Sequence, residues 1–303
     1  MSRRWRCIFF GLGAALISIV TAELLLQAVG FGDPPLVVMD DSIEYYLTPN
    51  RSYRRFGQQI EINRYGMRSK DADLSRLDRS QIFSVLGDSI VYGPGLDQGD
   101  TLGSQLQKRL REDRRLGNAI VNSLAASSWG PENIFHFYNH FGGVAGSIAW
   151  IVQSSHDMFD VANSADDPVP YSAVAPYCAL HDFIISVWRK VSVRISSTRS
   201  GIDPADRLKR TEWALGEVLV SLNRDYHRVI LVFHATRGEA IRGEANGLEH
   251  FRRLAGERGV HFLSTLELYR RSYAAGQQPH ADEIHLSASG ARLLAELMLT
   301  TVP

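Results

Sequence analysis

Five short apolar runs constrain the fold of this chain most, because amphipathic stretches separate them. The runs are Phe83–Leu86, Ala119–Asn122, Ile148–Val152, Val229–Phe233 and Val260–Leu263. Apolar residues recur at helical spacing around and between them, as in Leu102/Leu106/Leu110, Leu215/Val218/Leu219/Leu222, Leu248/Phe251/Leu254 and Leu293/Leu294/Leu297/Met298. Short apolar strands that alternate with such helices are typical of a parallel sheet covered on both faces. The sequence therefore predicts an α/β fold, a three-layer α/β/α sandwich with a central parallel sheet.

The N-terminus carries the signature of a targeting segment. Arg3, Arg4 and Arg6 precede an uncharged run from Cys7 to Ala22, and the apolar character resumes after Glu23. A basic tip followed by such a run is a signal peptide or a signal anchor. The first charges beyond it are acidic, which places the N-terminus in the cytoplasm and the rest of the chain outside it.

Two fates of this segment stay open. A transmembrane helix needs about 20 apolar residues, and the run with its Leu24–Leu26 extension approaches that length. This favours a single-pass anchor in the inner membrane, with a periplasmic catalytic domain. Val20-Thr21-Ala22 would also serve as a cleavage site, which predicts a secreted protein instead. A buried helix of a soluble protein is the weakest alternative.

Three regions are predicted along the chain. Residues 1–26 form the cytoplasmic tip and anchor, 27–80 an extended or β-rich lead-in, and 81–303 the catalytic domain. In the lead-in, Gln59–Asn63 alternates polar and apolar residues as a half-buried strand does.

Composition excludes one class of partner. The chain has 33 basic and 33 acidic residues, whereas a nucleic-acid binder normally shows a basic excess. Its two cysteines, Cys7 and Cys178, are not expected to pair, because Cys7 borders the apolar N-terminal run.

Polar clusters follow the predicted strands, at the edge where α/β sheets bind ligands. Ser89 comes just after the first strand, within Gly87-Asp88-Ser89, and Asp282 and His285 precede the last helix. A serine hydroxyl becomes a nucleophile when a base removes its proton and a third group orients that base. We therefore predict Ser89 as nucleophile, His285 as base and Asp282 as its partner. Asp88 is expected to cap a helix rather than to catalyse.

These motifs resemble those of the SGNH (GDSL-like) serine hydrolases. Gly87-Asp88-Ser89 with Tyr92-Gly93 looks like the first conserved block of that family, and Asp282 and His285 with Leu286-Ser287-Ala288 resemble its last. The resemblance covers roughly residues 80–300. It implies a flavodoxin-like sandwich, no metal or cofactor, and hydrolysis or transfer of acyl groups on sugars, lipids or small esters.

The middle blocks of the family depart from the pattern. They supply the oxyanion hole, usually with a glycine N–H about five residues after an asparagine and with an asparagine side chain. Here Asn122 places Ser127 at the glycine position, and His156 stands at the asparagine position. Backbone and imidazole N–H groups can both donate, so the resemblance implies Ser89, Ser127 and His156 as the oxyanion hole.

Several other histidines and one tryptophan have side chains that could belong to a functional site. His136 and His140 have the i, i+4 spacing of metal ligands, but the aromatic residues around them favour packing, and no zinc site is predicted. Trp129 could stack on a sugar or pack within its loop. His234 is placed at the end of the fourth strand, where it could line a pocket.

Three functions are consistent with these residues. The first is an esterase that acts on an acylated carbohydrate or small ester through an acyl-enzyme. The second passes the acyl group to a polysaccharide hydroxyl and is therefore an O-acyltransferase. The third is a glycan-binding pseudo-hydrolase, given the altered middle blocks.

Overall fold

A computed structural model describes residues 3–141, 145–162, 169–196 and 202–303. The chain opens with helix α1, Arg3–Ala28. Within it, Cys7–Ala28 has a mean hydropathy of 2.1, and none of its residues is buried. It is long and apolar enough to cross a membrane, and a signal sequence would have the same properties. Residues 1 and 2 and the side chains of Arg4 and Arg6 lie outside the described part.

Two antiparallel hairpins follow α1. They consist of β1 (Val37–Asp40) with β2 (Glu44–Leu47) and β3 (Arg51–Arg55) with β4 (Gln58–Ile62). In β4 the two isoleucines, Ile60 and Ile62, are buried and Glu61 between them faces outward, as the alternation predicted. Buried residues of both hairpins join the same hydrophobic cluster as the central sheet. The lead-in is therefore packed onto the sheet domain.

The central sheet has five parallel strands. They are β5 (Ile82–Gly87), β6 (Ile120–Ala125), β7 (Gly146–Gln153), β8 (Tyr226–Phe233) and β9 (His261–Ser264). Their order across the sheet is β6-β5-β7-β8-β9, which is the flavodoxin-like order 2-1-3-4-5. Each strand coincides with one of the apolar runs, so the prediction of a parallel α/β sheet is confirmed.

The described residues contain nine further α-helices. They are α2 (Ser89–Tyr92), α3 (Leu102–Leu110), α4 (Pro131–His140), α5 (Ala179–Ser196), α6 (Pro204–Asp225), α7 (Arg237–Arg242), α8 (Leu248–Glu257), α9 (Leu266–Ala274) and α10 (Ala288–Leu299).

The direction of the strand connections places these helices in two layers. The connection from β5 to β6 runs one way across the sheet, and the later connections run the other way. Because such crossovers are right-handed, α3 covers one face and α4, α6 and α8 cover the other. In agreement, α3 packs against α10, and α4 packs against α6. The point where the direction reverses lies between β5 and β7, and open α/β sheets bind ligands in the crevice at this point.

Candidate active site

Ser89 lies at the junction of β5 and α2, at the carboxyl edge of the sheet. Asp88 is the N-cap of α2, and its Oδ1 accepts a hydrogen bond from the N–H of Ile90 at 2.8 Å, as the sequence predicted. The preceding residue must be small, since a Cβ on Gly87 would lie 2.6 Å from a methyl group of Val91. This tight strand–helix junction leaves the hydroxyl of Ser89 half-buried and facing the edge of the sheet.

The structure brings Ser89 together with His285 and Asp282. Ser89 Oγ is 3.0 Å from His285 Nε2, and His285 Nδ1 is 2.7 Å from Asp282 Oδ2. A carboxylate only accepts hydrogen bonds, so Nδ1 carries the proton and Nε2 is free to accept one from the serine. The arrangement matches the order nucleophile, base, orienting acid that nucleophilic catalysis requires.

Asp282 also shapes the loop that carries the base. Its Oδ1 accepts the backbone N–H groups of Ile284 and His285 at 2.9 and 2.8 Å. Partial burial alone would raise the pKa of Asp282, but the hydrogen bonds from His285 and Ile284 outweigh it and lower the pKa to about 2. The group is therefore a carboxylate at any pH at which His285 can act as a base.

Two buried histidines hold this loop against the end of β8. His234 Nε2 lies 2.9 Å from the carbonyl oxygen of Ile284, and His280 Nε2 lies 3.0 Å from that of Ala235. Burial, with His280 nearby, lowers the pKa of His234 to about 3, so its imidazole is neutral. The sequence suggested that His234 could line a pocket, but the ring is fully buried. It supports the loop that carries Asp282 and His285 from behind.

A second cluster lies on the other side of Ser89. Asp88 Oδ2 is 3.4 Å from Ser89 Oγ and also 3.4 Å from His156 Nε2. The ring of His156 continues to Asp157 Oδ1 at 3.5 Å, and its Nδ1 lies 2.5 Å from Ser154 Oγ. Asp88 and Asp157 are buried, whereas the His156 side chain is 44% exposed. Both ring nitrogens of His156 thus have protein partners.

The charge of this cluster follows from its geometry. Burial alone would lower the pKa of His156, but the carboxylates of Asp157 and Asp88 outweigh it and raise the pKa to about 10. Burial raises the pKa of the Asp157 carboxyl. A protonated His156 therefore offsets one carboxylate charge of this cluster at neutral pH. Ligand atoms of the same three residues lie within 4.8 Å of one another, close enough for a metal ion.

The loop after β6 holds Ser127, the other residue predicted in the oxyanion hole. Ser127 Oγ is 2.9 Å from the hydroxyl of Tyr171, and the Ser127 carbonyl accepts a hydrogen bond from the Tyr45 hydroxyl on β2. The next residue, Ser128, has φ 62°, a left-handed conformation that turns the chain sharply. Among the described residues, no acceptor binds the N–H of Ser127. Because β6, β5 and β7 are adjacent, Ser127, Ser89 and His156 follow neighbouring strands.

Residues of the lead-in support the Ser127 loop and the end of α2, a role that the sequence did not reveal. Trp129 is buried and donates from Nε1 to the Tyr45 carbonyl at 3.0 Å, so it packs within its loop and offers no stacking surface for a sugar. Arg68 is also buried, and its guanidinium donates to the carbonyls of Tyr92, Gly93 and Leu96 at 2.7–3.0 Å. It thereby fixes the end of α2, the helix that begins at Ser89.

The two histidines with the i, i+4 spacing of metal ligands have packing contacts. The His136 ring lies 5.1 Å from Phe135, and that of His140 lies 4.7 Å from Phe141. Cys7 and Cys178 are both free thiols at exposed positions, in line with the expectation that they do not pair.

Comparison with known proteins yields structural similarity alone. No family model and no curated protein matches the chain. An alpha/beta hydrolase from the metagenome of Lake Arreo in Spain is 16% identical, covering 74% of this chain and 95% of its own, with a TM-score of 0.49. A lipolytic G-D-S-L family protein of Veillonella parvula is 14% identical (73% and 97% covered, TM-score 0.45). The acetylxylan esterase Axe2 of Geobacillus stearothermophilus is 12% identical (74% and 95% covered, TM-score 0.48).

Proposed function

We propose that this chain is an SGNH-type serine hydrolase that cleaves ester bonds through an acyl-enzyme on Ser89. The observation that carries the proposal is the unbroken hydrogen-bond chain from Ser89 Oγ through His285 to Asp282, at 3.0 and 2.7 Å. A non-catalytic glycan-binding protein would have no need for this geometry. The intact arrangement therefore favours catalysis over the pseudo-hydrolase alternative.

The reaction follows from the atoms present. Ser89 Oγ attacks the ester carbonyl while His285 Nε2 takes its proton, and the carboxylate of Asp282 stabilises the imidazolium that forms. His285 then gives this proton to the leaving alcohol, and the acyl group stays on Ser89. A water molecule, deprotonated by the same imidazole, releases the acid and restores the serine.

The oxyanion that forms during attack needs N–H donors. The N–H of Ser89 lies in the first turn of α2, where helix N–H groups lack intrahelical partners, and the N–H of Ser127 has no acceptor among the described residues. We propose these two backbone donors, together with His156. For His156 to donate, its Nε2–H has to turn from Asp88 to the substrate oxygen. Its positive charge favours the oxyanion even without a direct hydrogen bond.

Labelling with a fluorophosphonate probe tests the proposal. The full-length protein should become labelled on Ser89, and Ser89→Ala should abolish both labelling and hydrolysis of p-nitrophenyl acetate. Ser52→Ala is the matched control, because Ser52 is an exposed serine on β3, and it should leave both unchanged. A folded wild-type protein that is not labelled would refute an activated serine.

A second function, acyl transfer to a carbohydrate hydroxyl, is favoured by a cleft beside the Ser127 loop. The cleft has a volume of about 780 Å³, and its lining includes Tyr92, Ser128 and Tyr171 as well as Arg55 and Arg189. Aromatic rings with charged groups suit a sugar, and the volume suffices for a bound ligand. Mass spectrometry of candidate glycans incubated with an acyl donor would reveal an acylated product if transfer competes with hydrolysis.

A further inference from the structure

Helix α5 presents its apolar side to solvent, which is the reverse of an ordinary surface helix. Its outward stripe consists of Phe183, Ile184, Val187, Trp188 and Val191, which are 40–71% exposed. These positions recur at i, i+1, i+4, i+5 and i+8 and therefore lie on one face. A stripe of five large apolar side chains marks a surface that contacts something apolar.

The inward face of α5 is polar and tied to the protein. Asp182 is buried, and its carboxylate accepts the Arg55 guanidinium at 2.6 Å and the Gly32 N–H at 2.9 Å. Arg189 donates to the carbonyl of Pro170 at 3.3 Å. Because these contacts hold the polar side inward, the helix cannot rotate its apolar stripe into the core without breaking a buried ion pair.

The exposed stripe is continuous with helix α1. The carboxylate of Glu23 on α1 accepts the N–H groups of Ala179 and Leu180 at 2.8 and 2.9 Å, which caps the first turn of α5. The ring of Phe31, just beyond α1, lies 5.5 Å from that of Phe183 at an edge-to-face angle. Whatever surrounds the exposed apolar residues of α1 therefore also meets the beginning of α5.

The position of Glu23 sets the depth of α5 in a bilayer. Glu23 precedes the end of the apolar segment at Ala28 by five residues, which is about 8 Å of helix. Amphipathic helices that lie in a membrane surface bury their apolar face about 5–10 Å into the boundary between headgroups and acyl chains. Tryptophan is enriched at this boundary, and the stripe contains Trp188.

We propose that α5 is an in-plane membrane helix, whose apolar stripe inserts into the outer leaflet of the bilayer that α1 crosses. This rests on the proposal that α1 is retained as an anchor. Two attachments, one spanning and one in the surface, then fix the orientation of the catalytic domain. Since Asp182 and Arg189 of α5 line the cleft beside the Ser127 loop, that cleft is held close to the membrane surface.

Fluorescent probes on single cysteines in the full-length protein test this. In a Cys7→Ser, Cys178→Ser background, an environment-sensitive probe is placed at Val187→Cys on α5, Leu16→Cys on α1 or Val220→Cys on α6. Val220 is the matched control, because it is a helical valine of similar exposure, 50% against 45% for Val187. The protein is reconstituted in nanodiscs of phosphatidylcholine and phosphatidylglycerol. Quenching is compared between spin-labelled lipids and a water-soluble nickel chelate.

The proposal predicts that lipids labelled near the headgroup quench the Val187 probe several-fold more than the Val220 probe, which the nickel chelate should quench instead. Lipid quenching at Leu16 but not at Val187 would overturn the α5 proposal while leaving the anchor intact. No lipid quenching at Leu16 would refute the anchor. A Val187 probe shielded from both quenchers would mean that a protein partner or a second copy covers the stripe, and would also overturn the proposal.

Discussion

The buried imidazole of His234 makes the stability of this protein depend on pH in a predictable way. The ring is fully buried at the end of β8, with Nε2 2.9 Å from the Ile284 carbonyl oxygen and Nδ1 3.2 Å from the Tyr269 hydroxyl. A carbonyl only accepts, so Nε2 carries the proton and the tyrosine donates to Nδ1. The neutral ring thus satisfies both partners, and a second proton would remove the acceptor that Tyr269 needs.

The size of the effect follows from the two pKa values. Burial, with His280 nearby, lowers the pKa of His234 to about 3 in the folded protein, whereas an unfolded histidine has a pKa of about 6.5. Because the pKa is lower in the folded protein, the contribution of His234 to the free energy of unfolding is fully present above about pH 6.5. Below that pH the unfolded chain takes up a proton at this residue and the contribution falls, until the folded protein also takes up a proton near pH 3. The slope is about 1.4 kcal/mol per pH unit, so acidification to pH 5 should cost about 2 kcal/mol through this residue.

The measurement compares two variants with the wild type. Unfolding of the detergent-solubilised full-length protein by urea is followed at pH 7 and pH 5. His234→Gln retains a donor for the Ile284 carbonyl but cannot titrate in this range, so its loss between the two pH values should be smaller than that of the wild type by about 2 kcal/mol. Tyr269→Phe keeps the imidazole and should retain most of the acid loss. Equal losses in the wild type and His234→Gln would refute the reasoning.

Three further substitutions test the site and its supports. Asp282→Asn should lower kcat/KM for p-nitrophenyl acetate by about 100- to 1000-fold. This loss is somewhat smaller than the one expected for a buried catalytic aspartate, because the Asp282 side chain is 56% exposed. An unchanged rate would rule out the role of Asp282. Arg68→Met should lower the free energy of unfolding by about 3 kcal/mol or more, since three buried carbonyls lose their donor; urea titration against Arg76→Met, at an exposed arginine, supplies the control. Gly130→Ala should lower the melting temperature, because its Cβ would lie 2.2 Å from the carbonyl oxygen of Asp160, at a cost of about 1–3 kcal/mol; a variant as stable as the wild type would contradict that contact.

The strands of the central sheet were predictable because their signal is local. A strand buried on both faces needs an apolar residue at nearly every position, as in β5 and β8, whose apolar runs the sequence displays directly. The hairpins of the lead-in were only partly predictable. In β4 the polar and apolar residues alternate, which predicts a strand. The positions of the aromatic residues of β1 to β3 are explained only by their packing against the sheet domain and its loops.

The supporting residues of the site were out of reach for a related reason. His234 was placed correctly at a strand end, yet its burial depends on a loop 50 residues later in the chain. Arg68 and Tyr171 belong to no recognisable motif, because their hydrogen bonds are made with carbonyl and hydroxyl groups of distant segments. The stripe of α5 was not predicted, because an amphipathic pattern does not say which face of a helix points outward.

The sequence by itself determined the class of fold, and it indicated the apolar N-terminal helix and the candidate site residues at both ends of the sheet domain, since strand patterns and short motifs are encoded within a few residues. Only the tertiary structure decided that Ser89 meets His285 across 196 residues of chain, that Asp88 connects Ser89 with His156, and that α5 turns its apolar side outward. The physical reason is the same in each case. These arrangements depend on which strands become neighbours in the sheet and on where the loops between strands and helices lie. The hydrophobic pattern of the sequence constrains neither.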